Sequence, residues 1–179
     1  MYFSKFPLKV YDVKGDKNYK LLPDILRRVK LRSSLASSRF VFDKYNVKEN
    51  ENPEDVAFKY YGSAEYHWVV LMVNNITDRY YQWPMTQPDF EEFLADKYGA
   101  GSEDSIHHYE LAQTSGKTTS IDDSHMLEVN SDTSGAPTIT NREYEEREQN
   151  RIRDIRLLDQ KYLDQFVDEF FSLIKRESY

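Results

Sequence analysis

The sequence contains no cysteine, which excludes disulfide bonds and thiol catalysis and suits a reducing compartment. It also lacks long hydrophobic runs, since the longest, residues 68–73, is far shorter than the ~20 residues that cross a bilayer. The N-terminus has no apolar stretch of the kind found in signal peptides. We therefore expect a soluble protein that is made and folded in the cytoplasm and has no membrane partner.

Motifs that carry catalysis are missing as well. The sequence has no G-x-G-x-x-G, P-loop, G-x-S-x-G or H-E-x-x-H motif. His107 and His108 are adjacent on a predicted strand, where successive side chains point to opposite faces, so we do not expect them to share a metal ion. Residues 122–125 contain triad residue types, but their contiguity is typical of a turn. The carboxylate pairs 91–92 and 145–146 are predicted to be solvated on helices. We predict no enzyme activity, no catalytic residue, no metal site and no cofactor.

Apolar residues make up only 39% of the chain, whereas aromatic residues make up 15%. With 179 residues the chain is long enough for one medium-sized domain with its own core. That core must rely on large rings, and the 14 tyrosines suit sites where a ring is buried and its hydroxyl stays in water. Such rings are common where protein partners meet.

The net charge of −7 is unevenly distributed along the chain. Residues 1–48 carry 12 basic and 4 acidic residues, a net of +8, and residues 49–179 carry 12 and 27, a net of −15. The basic cluster of Arg27, Arg28, Lys30 and Arg32 lacks the context of a nucleic-acid-binding motif. We expect a basic arm that pairs with its own acidic body or with an acidic neighbouring chain, and no nucleic acid partner.

Residues 52–93 are the most informative segment. Asn52 suits the N-cap of a helix that starts at Pro53, and Gly62 suits its left-handed stop. A second helix is expected from Ser63 to Asn74. The apolar spacing predicts a structural core to which four side chains are assigned, namely Val56, Trp68, Leu71 and Trp83.

Two strands are predicted to flank these helices. The first covers residues 40–47. The second lies near residues 81–84, because the residue before Pro84 avoids the α region. The sequence therefore predicts an α+β fold with residues 40–99 as its central domain.

Residues 1–39 are predicted to form an N-terminal arm. The turn signal at residues 14–16 indicates a hairpin, and residues 22–24 are expected to open a short basic helix. Phe3 and Phe6 are aromatic candidates for contact with a partner.

The rest of the chain is predicted as two segments. Residues 100–139 form a small β-meander, with strands expected at 106–111, 118–121 and 126–129. Residues 140–179 form a charged helix, a short strand and a final amphipathic helix. The apolar stripe of that last helix needs a cover, which makes a second set of partner-binding candidates, Phe166, Phe170 and Ile174.

The ordered motifs of this chain resemble the small baseplate wedge subunit of contractile-tailed bacteriophages of the T-even type. The resemblance includes a central domain similar to a LysM-like β-α-α-β unit, the start MYFSKFP, the charged TNREYEEREQN helix and the IRDIRLL strand. In the central domain it is carried by Asn52-Pro53-Glu54, Tyr61-Gly62, residues 65–68, Asn74-Asn75-Ile76 and Trp83-Pro84. It covers most of the chain and is weakest over residues 102–139.

This resemblance implies a structural subunit of the tail baseplate in the virion, assembled in the host cytoplasm. Its implied partners are other baseplate wedge and hub-proximal tail proteins in a six-fold hetero-oligomeric assembly, in which it helps to join adjacent wedges. The alternative is a LysM-type peptidoglycan- or glycan-binding module. Such modules usually have a Gly-Asp-Thr-like turn after the first strand, whereas residues 48–53 are acidic and lack the glycine, which favours a LysM shape used for protein contact.

Overall fold

The computed structural model describes residues 3–29, 41–112 and 126–175. The chain divides into two compact units. Unit 1 comprises residues 1–82 and 154–179, and unit 2 comprises residues 83–153. The boundary expected at residues 99–100 therefore falls inside unit 2. Every helix in the described ranges is too short or too polar to span a membrane.

Both units mix helices and strands, and the predicted α+β class is confirmed. Unit 1 contains β1 Leu8–Asp12, β2 Tyr19–Pro23, β3 Phe42–Asn46, α1 Pro53–Tyr61, α2 His67–Val73, α3 Arg79–Gln82, β7 Asp154–Leu158 and α6 Leu163–Lys175. Unit 2 contains α4 Gln87–Tyr98, β4 Ile106–Ala112, β5 Met126–Val129, β6 Thr138–Thr140 and α5 Asn141–Arg153. Short 3₁₀ turns precede α2 and α6, at Ala64–Tyr66 and Gln160–Tyr162.

The predicted hairpin is confirmed, whereas the helix expected after it is wrong. Strands β1 and β2 pair antiparallel, and Leu22 lies opposite Lys9 in that ladder. A turn follows at residues 25–26, and residues 27–29 are irregular. Strand pairing has overridden the helix-start signal at Pro23, because β2 runs through the proline at its end. Lys30, Arg32 and the rest of that expected helix lie outside the described residues.

The start and stop signals of α1 are confirmed. The Asn52 backbone N–H donates to the Asp55 carboxylate at 3.0 Å, which forms one half of a capping box. Pro53 occupies the first turn, where a missing N–H has no consequence. Gly62 has a φ of 78° and donates its N–H to the Phe58 carbonyl, so it ends the helix in the left-handed conformation.

The strand expected near residues 81–84 is wrong. Residues 79–82 are helical, because the Gln82 side chain folds back to accept the N–H groups of Thr77 and Asp78 at 2.7 and 3.0 Å. The conformational limit imposed by Pro84 applies only to Trp83, so the helix can extend to the preceding residue. The strand that pairs with β3 is β7, in an antiparallel register from Phe42↔Leu158 to Asn46↔Asp154. The β-α-α-β order is present, with unit 2 inserted before its last strand.

The core of unit 1 lies between α2, the β3–β7 pair and α6. Its buried side chains come from segments far apart in sequence, and they are Phe6, Phe42, Trp68, Val69, Val73, Leu158, Leu163, Phe170 and Ile174. Leu158 and Val69 are 1% and 0% exposed, so the centre of this cluster is closed to water. Packing of this kind requires β7 and α6 to return to the first half of the chain.

Unit 2 contains a three-stranded antiparallel sheet with the order β5–β4–β6. Of the predicted meander, the strands at 106–111 and 126–129 are found, while the strand expected at 118–121 lies outside the described residues. The pattern did not indicate β6, which follows residues 131–137 and pairs with β4. The core of this unit includes Trp83, Phe90, Leu94 and Ile139.

Candidate interaction surfaces

The N-terminal hairpin displays an apolar face. Residues directly opposite each other in an antiparallel pair lie on the same side, and the register pairs Val10 with Leu21 and Leu8 with Pro23. Tyr19 shares this side because alternate residues of a strand face the same way. Leu8, Val10, Tyr19 and Leu21 are 63%, 59%, 64% and 66% exposed. Together with Pro23 they form what is called here the hairpin face.

The opposite side of the hairpin is basic and more polar. It carries Lys9 and Lys20, together with Tyr11 and Leu22. The turn is fixed by Asp12, whose carboxylate accepts the N–H groups of Gly15 at 2.8 Å and Lys17 at 2.9 Å. The arm is therefore preorganised by its own hydrogen bonds before any partner is present.

A two-stranded hairpin with an exposed apolar side is unusual in a folded protein that has no partner. Such hairpins are marginal in water, and among the described residues no further strand pairs with the outer edge of β1 or β2, so these edges can accept another strand. A contiguous apolar patch on the surface of a soluble protein marks an interaction site. The hairpin face therefore fits a docking surface for another polypeptide.

The five residues predicted to bind partners occupy different environments. Phe3 is 57% exposed, and its ring centroid lies 5.5 Å from that of Phe6. Phe6 itself is buried in the core of unit 1. Phe170 and Ile174 are 3% and 2% exposed, and Phe166 is half-buried.

The apolar stripe of α6 is therefore covered by the chain itself. The sequence showed that the stripe needs a cover but could not show that the cover is intramolecular. Phe6, Phe170 and Ile174 belong to the buried core of unit 1, and their contact with a partner stays a prediction. Among the predicted contact residues, Phe3 and Phe166 keep side-chain surface exposed to water.

Trp68 organises the packing between α2 and α6. Its ring centroid lies 4.5 Å from that of Phe170, 5.8 Å from that of Phe171 and 6.2 Å from that of Phe166. Such offset and tilted arrangements are those that aromatic pairs prefer. The ammonium of Lys5 lies 4.4 Å from the centre of the Phe171 ring, so the N-terminal segment is held against the same cluster.

The four side chains assigned to the core are placed as follows. Val56 is fully buried in α1, Trp68 is 8% exposed, and Trp83 is 4% exposed in unit 2. Leu71 is only half-buried, because it points to the wall of a groove beside Trp68.

This groove, in unit 1, has a volume of about 700 Å³. Its floor and walls are mostly apolar, with Trp68, Leu71 and Met72 contributed by α2 and Phe170 by α6. Arginine side chains border the apolar surface, which adds positive charge to an apolar site. Sequence reasoning missed the groove, because its walls come from five separate segments.

The acidic turn before α1 is held by hydrogen bonds and an ion pair that all involve one of its own carboxylates. The Glu51 carboxylate accepts the Lys48 N–H at 2.8 Å and the Tyr45 hydroxyl at 3.0 Å, and it forms an ion pair with Lys59. Burial alone would raise the pKa of Glu51, but the hydrogen bonds from Lys59, Lys48 and Tyr45 together hold that pKa below its ordinary value. Burial and the hydrogen bond to Glu51 raise the pKa of Tyr45. The carboxylate therefore has a structural role in this turn.

The two histidines of β4 lie closer together than expected. The Nδ1 atoms of His107 and His108 are 2.7 Å apart, so the prediction that they point to opposite faces is wrong. A register shift between Ile106 and His108 distorts the strand, which removes the normal alternation. His107 stacks on Tyr144 with ring centroids 4.1 Å apart.

His108 takes part in a polar network with Glu110. The His108 Nε2 atom lies 2.8 Å from one carboxylate oxygen of Glu110, and Arg147 donates to the other oxygen at 2.7 Å. Within the described residues, no group of three or more His, Cys, Asp or Glu side chains is arranged to hold a metal ion. His125 and the turn at 122–124 lie outside the described residues.

The carboxylate pairs on the helices are only partly solvated. Glu145 is buried and receives a hydrogen bond from the Tyr98 hydroxyl at 2.6 Å, so the expectation of full solvation is wrong there. Glu91 accepts two hydrogen bonds from Arg142, at 2.7 and 2.8 Å, and this contact lowers its pKa. Both contacts join α5 to α4, which makes them structural ties inside unit 2.

Comparison with known proteins identifies the family. Residues 3–122 match the family described as "Base plate wedge protein 53". The chain belongs to this family. The matched range includes the hairpin, β3, α1, α2 and the first elements of unit 2. The family membership confirms the resemblance to baseplate wedge subunits, whereas the LysM-like detail stays a prediction.

A relative is also known within this baseplate wedge family. "Baseplate wedge protein gp53" of Enterobacteria phage T4 is 30% identical to the chain over 112 residues. The match covers 60% of this chain and 57% of the relative, so the chain spans little more than half the length of the relative it matches.

Proposed function

We propose that this chain is a non-catalytic structural subunit of a phage tail baseplate wedge. It binds neighbouring wedge and hub-proximal tail proteins and helps to join adjacent wedges in a six-fold hetero-oligomer. Its place is the tail of the virion, which is assembled in the host cytoplasm, and it needs no cofactor, nucleic acid or membrane. Membership of the baseplate wedge family supports the proposal.

The hairpin face is the contact surface in this proposal. It combines exposed apolar side chains with two strand edges, and a partner that covers both satisfies backbone hydrogen bonds as well as apolar surface. Phe3 and the half-buried Phe166 extend the set of contact residues. The hairpin lies inside the part of the chain that matches the family.

The test removes the apolar character of the hairpin face and keeps its strands. The double variant Val10→Thr/Leu21→Thr replaces a directly opposed pair by residues that favour strands and pair well with each other. Both side chains are mostly exposed, so the melting temperature of the isolated chain should change little. The matched control, Tyr11→Thr, lies on the opposite side of the same strand.

The measurement is competitive incorporation into phage tails, with wild-type and variant chains co-expressed during assembly and counted by mass spectrometry. The double variant should be depleted at least tenfold relative to wild type, and the control should be retained. Equal incorporation of the double variant would show that the hairpin face does not dock. Absence of the wild-type chain from tails would contradict the proposed function itself.

A further inference from the structure

We infer that the groove beside Trp68 in unit 1 binds an acidic amphipathic helix of a partner protein. This site is separate from the hairpin face, and no residue of the hairpin strands lines it. The choice of a polypeptide as its occupant rests on the proposed assembly function. The chemistry of the occupant follows from the groove alone.

The apolar surface of the groove is suited to the hydrophobic side chains of a helix. Its volume of about 700 Å³ admits several side chains, whereas a single anchor would need much less space. Leu71 and Met72 are only half-buried in the free chain, and Ile76 continues the wall. Anchors spaced by three and four residues along a helix suit an apolar site of this size.

The positive charge of the groove favours acidic side chains beside the apolar anchors of the partner helix. Arg27, Arg28 and Arg156 line it, and its lining contains no acidic residue among the described parts of the chain. Arg27 is partly neutralised by Asp24, with Nε and Oδ2 3.2 Å apart, and it donates to the Ile174 carbonyl at 3.0 Å. Arg27 is thus a fixed part of the wall, and the exposed guanidinium of Arg28 gives the groove a positively charged rim. Carboxylates beside the anchors complement it.

Two further features support a protein occupant. Ile25 and Leu26, which directly precede the arginines, are 66% and 75% exposed, so apolar surface continues beyond the groove. Arg28 is exposed at the rim, where a guanidinium can pair with a carboxylate through two hydrogen bonds. A helix of the opposite charge would place like charges against this rim.

The experiment uses the full chain and a defined probe. The probe is a dye-labelled, end-blocked peptide of about 15 residues, the length at which isolated helices become marginally stable. It has leucine at positions three and four apart and glutamate elsewhere. The matched peptide has lysine in place of every glutamate. Binding is followed by fluorescence anisotropy of the dye.

The acidic peptide should bind at least tenfold more tightly than the basic one. Arg28→Glu should weaken binding of the acidic peptide by at least tenfold and strengthen binding of the basic peptide. The control Lys20→Glu makes the same charge change on the hairpin, away from the groove, and should alter binding less than twofold. Both changed residues are exposed, so circular dichroism should show intact folds.

The inference fails if the acidic peptide shows no binding up to about 1 mM, which corresponds to a very weak complex. It fails equally if Arg28→Glu and Lys20→Glu have the same effect, because the attraction would then be nonspecific. Either result, combined with normal incorporation of the wild-type chain into tails, overturns the groove assignment and leaves the proposed function intact.

Discussion

Replacing Trp68 by alanine tests the packing of unit 1 most severely. Trp68 is 8% exposed, and its ring contacts the rings of Phe166, Phe170 and Phe171. Loss of a buried ring of this size removes its transfer free energy and leaves a cavity, which costs about 3–5 kcal/mol. The ring pairs contribute to that figure and are not added to it.

The change in unfolding free energy predicts a measurable shift in melting temperature. For a chain of this length, 1 kcal/mol corresponds to roughly 2–4 °C, so Trp68→Ala should lower the midpoint by about 6–20 °C. Far-UV circular dichroism follows the transition. Because the chain contains two compact units, the shift applies to the transition of unit 1 and need not apply to the whole signal.

The control is Phe58→Ala, which truncates an aromatic ring in the same unit. Phe58 is 63% exposed on α1, so its loss should change the unfolding free energy by about 0.5 kcal/mol or less. If Trp68→Ala melts within about 2 °C of wild type, the ring is not part of a packed core and the structure of unit 1 is wrong.

Two other predictions concern polar contacts in unit 1. Because the pKa of Glu51 is depressed in the fold, its stabilisation is complete above about pH 4.5 and is lost as pH falls through the lower folded-state pKa. The difference in unfolding free energy between wild type and Glu51→Gln, measured with urea at each pH, should therefore be constant near neutrality and shrink in acid; a difference independent of pH would refute this role. Asn74 donates to the Val70 and Arg156 carbonyls and accepts the Arg156 N–H, each at 2.8 Å, so it ties α2 to β7. Asn74→Ala should cost about 1–3 kcal/mol in urea unfolding, and an unchanged midpoint would show that water replaces these bonds.

Local signals in the sequence predicted the elements that local hydrogen bonds determine. Asn52, Pro53 and Gly62 bound α1 as expected, because each acts within one helical turn of its own position. The hairpin turn could be predicted equally well, because the Asp12 carboxylate accepts the N–H of Gly15, only three residues away. Family resemblance came from the same short motifs.

Contacts between residues far apart in sequence could not be predicted from such local motifs. The strand expected near residues 81–84 is not formed, and the partner of β3 is β7, which follows an insertion that no periodicity reveals. The cover of the α6 stripe is likewise supplied by Trp68 and other distant residues of unit 1. The bulge that brings His107 towards His108 depends on the pairing of β4 with β6, a strand of only three residues.

The candidate surfaces divide along the same line. The turn and the alternation of the hairpin could be predicted, but its register could not, because counting outward from residues 14–16 pairs Val10 with Lys20, whereas the structure pairs Val10 with Leu21. The groove could not have been derived, because α2, α6, β7 and the segment after β2 all contribute to it. Burial of Phe170 and Ile174 likewise depends on tertiary packing.

Oxidative footprinting of side chains measures the coverage of the hairpin face directly. Hydroxyl radicals modify exposed rings and aliphatic groups, so the rates at Tyr19 and Leu21 report whether these side chains are in contact with water. In the isolated chain both should react readily, since they are 64% and 66% exposed. Within assembled tails their modification should fall at least tenfold if the chain docks as a wedge subunit through this face. Equal modification in isolated and assembled forms would contradict the account.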